Sequence, residues 1–443
     1  MKDLTKGKEY KLILMFALPM LLGNIFQQLY NIVDSIIVGN YIGKQALGAV
    51  GASFPIIFLL ISLIVGFSIG GTILISQYFG AKQYEQVRKA VDTLNVVMLI
   101  SAVLIGTVGY IFAHDIFVLI SLPHDIIDEA TEYLKIYLLG LPFAFGFYGI
   151  SAILRGVGDS KTPLIFLVIS TIVNIILDIV FVIYLDSGIK GVAIATVLAQ
   201  FTALMAAIIW LHYRNKIISF RIKGLSFDMQ IFKQSIKIGL PSGMQQVAVS
   251  LGMMMIMFIV NGFGTDVVAG YSSAMRIDSL AILPAMMFST AFSTFVGQNI
   301  GAHKLLRVKA GYKSTLIMSS LVSIVISIFI ISFASKLMTL FTADSNVIKI
   351  GTDYLMIVGS FYIIFSFMFT TQAVMRGAGD TLVPMIFTII SLWLIRIPLA
   401  FVLSKNIGET GIWWSMPIAW TSGALLSFVY YLSGRWKRKT IVG

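Results

Sequence analysis

The chain has 443 residues, 58% of them hydrophobic and only 12% charged, and a mean hydropathy of +0.93. A soluble globular protein carries about 25% charged residues, so this chain has too little polar surface to cover itself in water, and lipid is its expected solvent. Cysteine is absent, which excludes disulfides, thiolate metal sites and cysteine nucleophiles; the four histidines are scattered, and the net charge of +12 sits in loops, where it reads as membrane topology and not as nucleic-acid binding.

A spanning helix needs about 20 mostly apolar residues. In chain order, the first half predicts spans at 12–38, 50–78, 92–113, 131–153, 163–185 and 190–212. The second half predicts spans at 236–262, 269–298, 313–333, 351–374, 384–404 and 411–433. The first run is far longer than the apolar core of a signal peptide, about 7–15 residues, so no cleaved leader is expected. Between the halves, 213–235 is the only long polar, basic linker. The expected organisation is therefore an N-terminal six-helix lobe over 1–212, a cytoplasmic linker over 213–235 and a C-terminal six-helix lobe over 236–443.

Lysine and arginine set the orientation. Lys2, Lys6, Lys8 and Lys11 precede the first span, and Arg435, Lys437, Arg438 and Lys439 follow the last. The even-numbered loops hold Lys82, Arg88 and Lys89; Arg155 and Lys161; and Lys304, Arg307 and Lys309. The odd-numbered loops hold few basic residues, and the largest of them, 114–132, is acidic. Both termini are expected on the cytoplasmic side of a prokaryotic inner membrane.

The halves are one pattern written twice, with a repeat of roughly 220 residues. Arg155-Gly156-Val157-Gly158-Asp159 returns as Arg376-Gly377-Ala378-Gly379-Asp380, Leu18-Pro19 as Leu240-Pro241, and Gln77 with Gly80-Ala81 as Gln298 with Gly301-Ala302. An even number of spans per half makes these parallel repeats, related by a pseudo-two-fold along the membrane normal. The glycine loops lack a preceding strand and a P-loop lysine, so they read as helix stops and starts, not as phosphate sites. The expected fold is all-α: twelve transmembrane helices in two lobes facing a central cavity, the plan of a secondary transporter.

Acids inside spans are few. A carboxylate at the bilayer centre costs about 2.5–3.5 kcal/mol on insertion scales, so each needs a partner or a proton. In the first half, Asp34 and Asp178 have no basic mate within the spans; Lys135, at the rim, is the nearest. Asn174 lies one turn from Asp178, and Thr196 falls at comparable depth on the next span. Carboxylates, an amide oxygen and a hydroxyl are hard ligands that suit Na⁺ or a proton relay, not a soft metal. In the second half, Asp278 has Arg276 beside it and Arg396 on the eleventh span. Residues two apart on a helix do not face each other, so Arg396 is the expected partner in a structural ion pair.

Gln27, Gln28, Gln245 and Gln246 recur on the first spans of the two halves, and amides inside a span prefer the bundle interior. With Tyr30 and Met253, from the adaptable run Met253-Met254-Met255, Gln27, Gln245 and Gln246 are candidate cavity residues. Pro19 and Pro241 each remove a backbone hydrogen bond within a span and are candidate bending points.

Leu29-Tyr30-Asn31 ahead of Asp34, the pair Asn174 and Asp178, Thr196, and the doubled Arg-Gly-x-Gly-Asp loops together resemble the multidrug and toxic compound extrusion (MATE) family over the full chain, nearest its DinF-like branch. The resemblance implies antiport, with Na⁺ or H⁺ entering as a cationic or amphipathic compound leaves. It also implies a coupling-ion site in the N-terminal lobe at Asp34, Asn174, Asp178 and Thr196, and a first helix that bends at Pro19. The NorM-like branch carries an acid on the seventh span; here Pro241-Ser242-Gly243-Met244-Gln245-Gln246-Val247-Ala248-Val249 has none. No enzymatic activity, cofactor or nucleic-acid partner is expected. Small-molecule substrates and membrane lipid are the expected partners, and the chain is expected to work as a monomer. The alternative is a lipid-linked oligosaccharide flippase of related two-lobe plan, against which the scarcity of basic residues in the spans counts.

Overall fold

The computed structural model describes residues 2–120, 122–214 and 226–442, so most of the predicted linker, 215–225, lies outside the described residues. Among the described residues the secondary structure is helical, with no strand. Lipid offers no partner for backbone N–H and C=O groups, and a helix satisfies them within the segment.

The first half runs through α1 (Glu9–Ile37), α2 (Lys44–Gly80), α3 (Tyr84–Leu119), α4 (His124–Leu139), α5 (Leu141–Gly156), α6 (Lys161–Asp178) and α7 (Gly188–Arg214). The second runs through α8 (Met229–Asn261), α9 (Thr265–Gly301), α10 (Leu305–Met338), α11 (Ser345–Gly359), α12 (Tyr362–Gly377), α13 (Leu382–Ile389), α14 (Ile397–Ile407) and α15 (Glu409–Ser433). Among the described residues nine helices, or helices continued through a π-turn, are long and apolar enough to cross a membrane, and the pairs α4–α5 and α11–α12, each bent by 48°, raise the number to eleven. The α15 helix takes the position of the twelfth predicted span. It has the length but carries Trp413, Trp414, Ser415, Pro417 and Ser422, which lower its hydropathy.

The bend between α4 and α5 has a local cause. Pro142, at the second position of α5, has no N–H to continue the ladder from α4. Three wider π-turns also interrupt the spans: Val38–Ile42 after α1, Ile179–Tyr184 after α6, and Ile390–Arg396 between α13 and α14. The loop after α5 is a helix stop and start, as its sequence suggests. Gly158 has φ +83°, and Asp159 accepts hydrogen bonds from the Lys161 and Thr162 amides at 3.1 and 3.0 Å.

The chain divides into two compact units, one built from 19–240 and the other from 3–18 with 241–443. The division runs through α1 and α8 at Pro19 and Pro241. The reason is visible within each unit. In the second, the Leu4 amide donates to Gln298 Oε1 at 2.9 Å, Asn299 Nδ2 donates to the Leu4 carbonyl at 3.2 Å, and Arg307 pairs with Glu9 at 2.9 Å. In the first, the segment before Pro241 is held by Tyr78 OH donating to Gln234 Oε1 at 3.0 Å and by the Asp228 amide donating to Thr93 Oγ1 at 3.1 Å. There α8 lies so close to α2 that a methyl group added to Gly70 would stand 2.5 Å from the Ser235 carbonyl oxygen. Only glycine permits that approach.

Candidate functional site

Four helices of the first unit bring the predicted coupling residues together. On α1, Tyr30 and Asp34 are one turn apart; on α6, Asn174 and Asp178 are one turn apart; α7 supplies Thr196, and α4 adds Tyr133. Tyr30 OH and Thr196 Oγ1 share a hydrogen bond of 3.1 Å. Asp34 and Asp178 lie close enough for their charges to interact, and both act on Tyr30 and Tyr133. Asp178 is fully buried and Asn174 nearly so.

The polar atoms of this group are poorly satisfied. Asp34 Oδ1, both carboxylate oxygens of Asp178 and both amide atoms of Asn174 are buried without a hydrogen-bond partner. An unmet buried polar group costs about 1–3 kcal/mol, and more when charged. No lysine or arginine meets either acid within 4 Å among the described residues; Lys135 instead lies over the Tyr110 ring at 5.4 Å. Such a cluster of hard oxygens suits a bound cation or a shared proton. The residues that the sequence groups by depth are therefore grouped in space, with Tyr30 joining them.

Two π-turns flank the acids. Val38–Ile42 begins one turn after Asp34, Ile179–Tyr184 begins directly after Asp178, and the two turns pack against each other. An inserted π-turn shifts helix register and is frequent at functional sites.

Beside the acids lies a partly open pocket, lined by Gln27, Tyr30, Asn174 and Thr196 among others. Ser170, Thr171, Tyr148 and Gln200 also line it and were not singled out from the sequence. The available signal was spacing: Thr171 is one turn from Asn174, and Gln200 one turn from Thr196.

The second-half candidates belong to the second unit. Gln245 is buried and donates from Nε2 to Thr388 Oγ1 at 2.6 Å. Gln246 is half-buried, and Met253 is 41% exposed, on the outside of its own unit. Pro19 and Pro241 sit inside α1 and α8 at the unit boundaries.

The expected direct ion pair between Asp278 and Arg396 is corrected by the structure. Both residues are buried and within electrostatic range, but no N···O contact within 4 Å joins them. Asp278 Oδ1 accepts from Tyr362 OH at 2.7 Å, and Arg396 Nη2 donates to Met416 Sδ at 3.5 Å. A tyrosine hydroxyl one helix away satisfies the carboxylate without bringing a second charge into contact.

The MatE family profile matches the chain twice, over residues 19–180 and 241–402. The chain is 31% identical over 438 residues to the probable multidrug resistance protein YpnP of Bacillus subtilis, covering 98% of this chain and 97% of that one. It is 28% identical to the probable multidrug resistance protein NorM of Thermotoga maritima, covering 98% and 94%. It superposes with a TM-score of 0.93, at 25% identity and 99% coverage of both chains, on a multidrug resistance MATE family transporter of the MOP superfamily solved in an outward-facing conformation.

Proposed function

The chain belongs to the MATE family of multi-span membrane transporters, and from that premise we propose that it is a multidrug efflux antiporter, exporting cationic or amphipathic small molecules from the cell in exchange for Na⁺ or H⁺. The observation that carries this reading is the set of buried, unsatisfied oxygens on Asp34, Asp178 and Asn174 beside a polar cavity. A helical unit does not tolerate two uncompensated carboxylates unless a cation or proton joins them during the cycle.

In this reading Asp34 and Asp178 carry the coupling ion, Asn174 and Thr196 complete its ligands, and Tyr30 links the ion site to the cavity through its bond to Thr196. The cavity takes part of the substrate. Coupling requires only that ion and substrate prefer different states or exclude each other. Pro19 and Pro241 are the bending points, because each stands where the chain passes from one unit to the other.

The test is ethidium efflux from proteoliposomes under a Na⁺ gradient and, separately, a pH gradient, for the wild type and Asp178→Asn. Efflux driven by one gradient and lost in the variant supports the reading and names the ion. Efflux that the variant leaves unchanged would reject the site. Folded protein that moves ethidium under neither gradient would reject antiport of this substrate class.

A further inference from the structure

The second unit contains a buried acid that the coupling site does not use. Asp278, on α9, is 2% exposed. The groups facing it are Tyr271 from its own helix, Tyr354 from α11, Tyr362 from α12 and Arg396 from the π-turn Ile390–Arg396. Among the described residues only Tyr362 gives it a short hydrogen bond, at 2.7 Å. Arg396 is also buried, stays beyond 4 Å, and leaves its Nε without a partner. A contact ion pair would hold Asp278 in its charged form. A guanidinium that is near but not touching still favours the carboxylate, but it opposes burial less than a contact would, and it forfeits much of the attraction that would justify burying a structural pair.

Polar groups continue from Asp278 along α12. One turn after Tyr362 comes Ser366, fully buried, whose hydroxyl has no partner. One turn further, Thr370 Oγ1 meets Ser319 Oγ of α10 at 3.3 Å, and Thr371 Oγ1 meets Tyr312 OH at 2.9 Å. Gln372 follows, its Nε2 donating to Ser427 at 3.4 Å and its Oε1 unpartnered. Arg376 ends the series, with Nη2 donating to Ser289 at 2.9 Å. From Tyr362 to Arg376 the series climbs about 21 Å, the rise of fourteen helical residues.

The first repeat supplies the control. Setting Arg155 on Arg376 places Leu141, Phe145, Gly149 and Ile150 where the second repeat has Tyr362, Ser366, Thr370 and Thr371. The facing helix has Val91, Leu94 and Met98 where the second repeat has Tyr312, Thr315 and Ser319. At these seven positions the helix pair packs with apolar residues in one unit and with hydroxyls in the other, so packing alone does not require them; Ser151 at the place of Gln372 and Arg155 at the place of Arg376 keep the far end polar in both.

We propose that Asp278 is a second, proton-exchanging carboxylate, reached along the hydroxyl series of α12 and α10 from the end of α12 that the charge pattern assigns to the cytoplasm. A proton entering at that end is passed between hydroxyls, with water spanning the one-turn gaps, and converts the Asp278 carboxylate to the neutral acid. The role in transport rests on the antiport reading above; the protonation itself does not.

Titration difference infrared spectroscopy on purified protein in lipid tests it without transport. The expected result is a carboxyl C=O band that titrates, persists in Asp34→Asn/Asp178→Asn, and is lost in Asp278→Asn. After a pH jump, Ser366→Ala/Thr370→Val should keep the band but slow its appearance several-fold. If Asp278→Asn does not fold, Tyr362→Phe serves, because losing the hydrogen bond to Oδ1 shifts the same band. A folded Asp278→Asn or Tyr362→Phe protein with the wild-type spectrum would show Asp278 to be permanently charged and overturn the proposal. An unaltered rate in the double hydroxyl variant would overturn the path. A protein that shows the band but fails ethidium efflux would sink the antiport reading alone.

Discussion

The two units descend from one pattern but bury their charges in different places. The first unit holds Asp34 and Asp178; the repeat carries Ile256 and Leu399 at those positions. The second holds Asp278 and Arg396, where the first has Ile57 and Ile175. The π-turns follow the charges and not the repeat. One begins a turn after Asp34, one begins directly after Asp178, and the third ends at Arg396. A shared scaffold therefore fixes helix number and packing, while each unit has acquired its own buried ionisable group and its own local break in helix register. The first group has two acids and no contacting base. The second has one acid with a base held at a distance. In the proposed antiport reading the first takes up a cation or a proton, and the second exchanges a proton.

The largest effect should come from removing the feature that only the first unit has. Asp178→Asn is expected to lower gradient-driven ethidium efflux on the order of 100-fold, the upper range of a coupling free energy, with Asp34→Asn similar. Because the acids act as one group, the double variant should be little worse than either single one. Additive losses, measured as initial rates in proteoliposomes, would mean two separate sites. Asp278→Asn should be milder, about tenfold on efflux driven by a pH gradient. Efflux driven by Na⁺, if the first unit uses it, should be unchanged, and an equal loss under both gradients would make Asp278 a structural residue.

Tyr30→Phe sharpens the comparison from the other side. It removes the bond to Thr196 and leaves the acids in place. A net hydrogen bond is worth about 0.5–1.5 kcal/mol, so the concentration of coupling ion needed for half-maximal efflux should rise by about two- to tenfold, with the maximal rate kept. A fall in maximal rate at unchanged ion dependence would place Tyr30 in substrate handling instead.

Much of the fold is legible in the sequence, because lipid imposes one requirement on every span. The apolar runs at 92–113 and 313–333 sit inside α3 and α10 with no ambiguity, and the doubled Arg-Gly-x-Gly-Asp loops turn where glycine and proline demand. The π-turns left no trace, since Ile179–Tyr184 and Ile390–Arg396 are as apolar and β-branched as the helices around them. The transfer of 3–18 to the second unit is hidden for a different reason: it depends on Gln298 and Asn299, nearly three hundred residues away. Asp34, Asn174, Asp178 and Thr196 were legible as a group, because an acid in a span is rare and depth is countable. Arg396 is paired with Asp278 on a different ground, that Arg276 does not share its helix face. Elimination of one neighbour does not tell whether the other touches, and Tyr362 reaches the carboxylate instead.

The smallest effect concerns the segments that precede the two prolines. Beside the neutral bonds of Leu4, residues 3–18 carry charged ties to the second unit: Arg307 pairs with Glu9 and donates to the Gly7 carbonyl, and Lys304 donates to the Thr5 carbonyl. The segment before Pro241 is tied to the first unit by Tyr78, Gln234 and Thr93, with Ser226 donating to Asp92. Arg307 and Glu9 keep about a quarter of their side-chain surface exposed. An ion pair of that exposure is worth about 0.2–1 kcal/mol and weakens with salt. Glu9→Gln should therefore lower the melting temperature in lipid by a degree or two at low ionic strength, and by less at high salt. Gln234→Ala should cost a similar amount with no salt dependence. If both variants respond to salt alike, the two segments are held by the same means, and the contrast between the units does not extend to them.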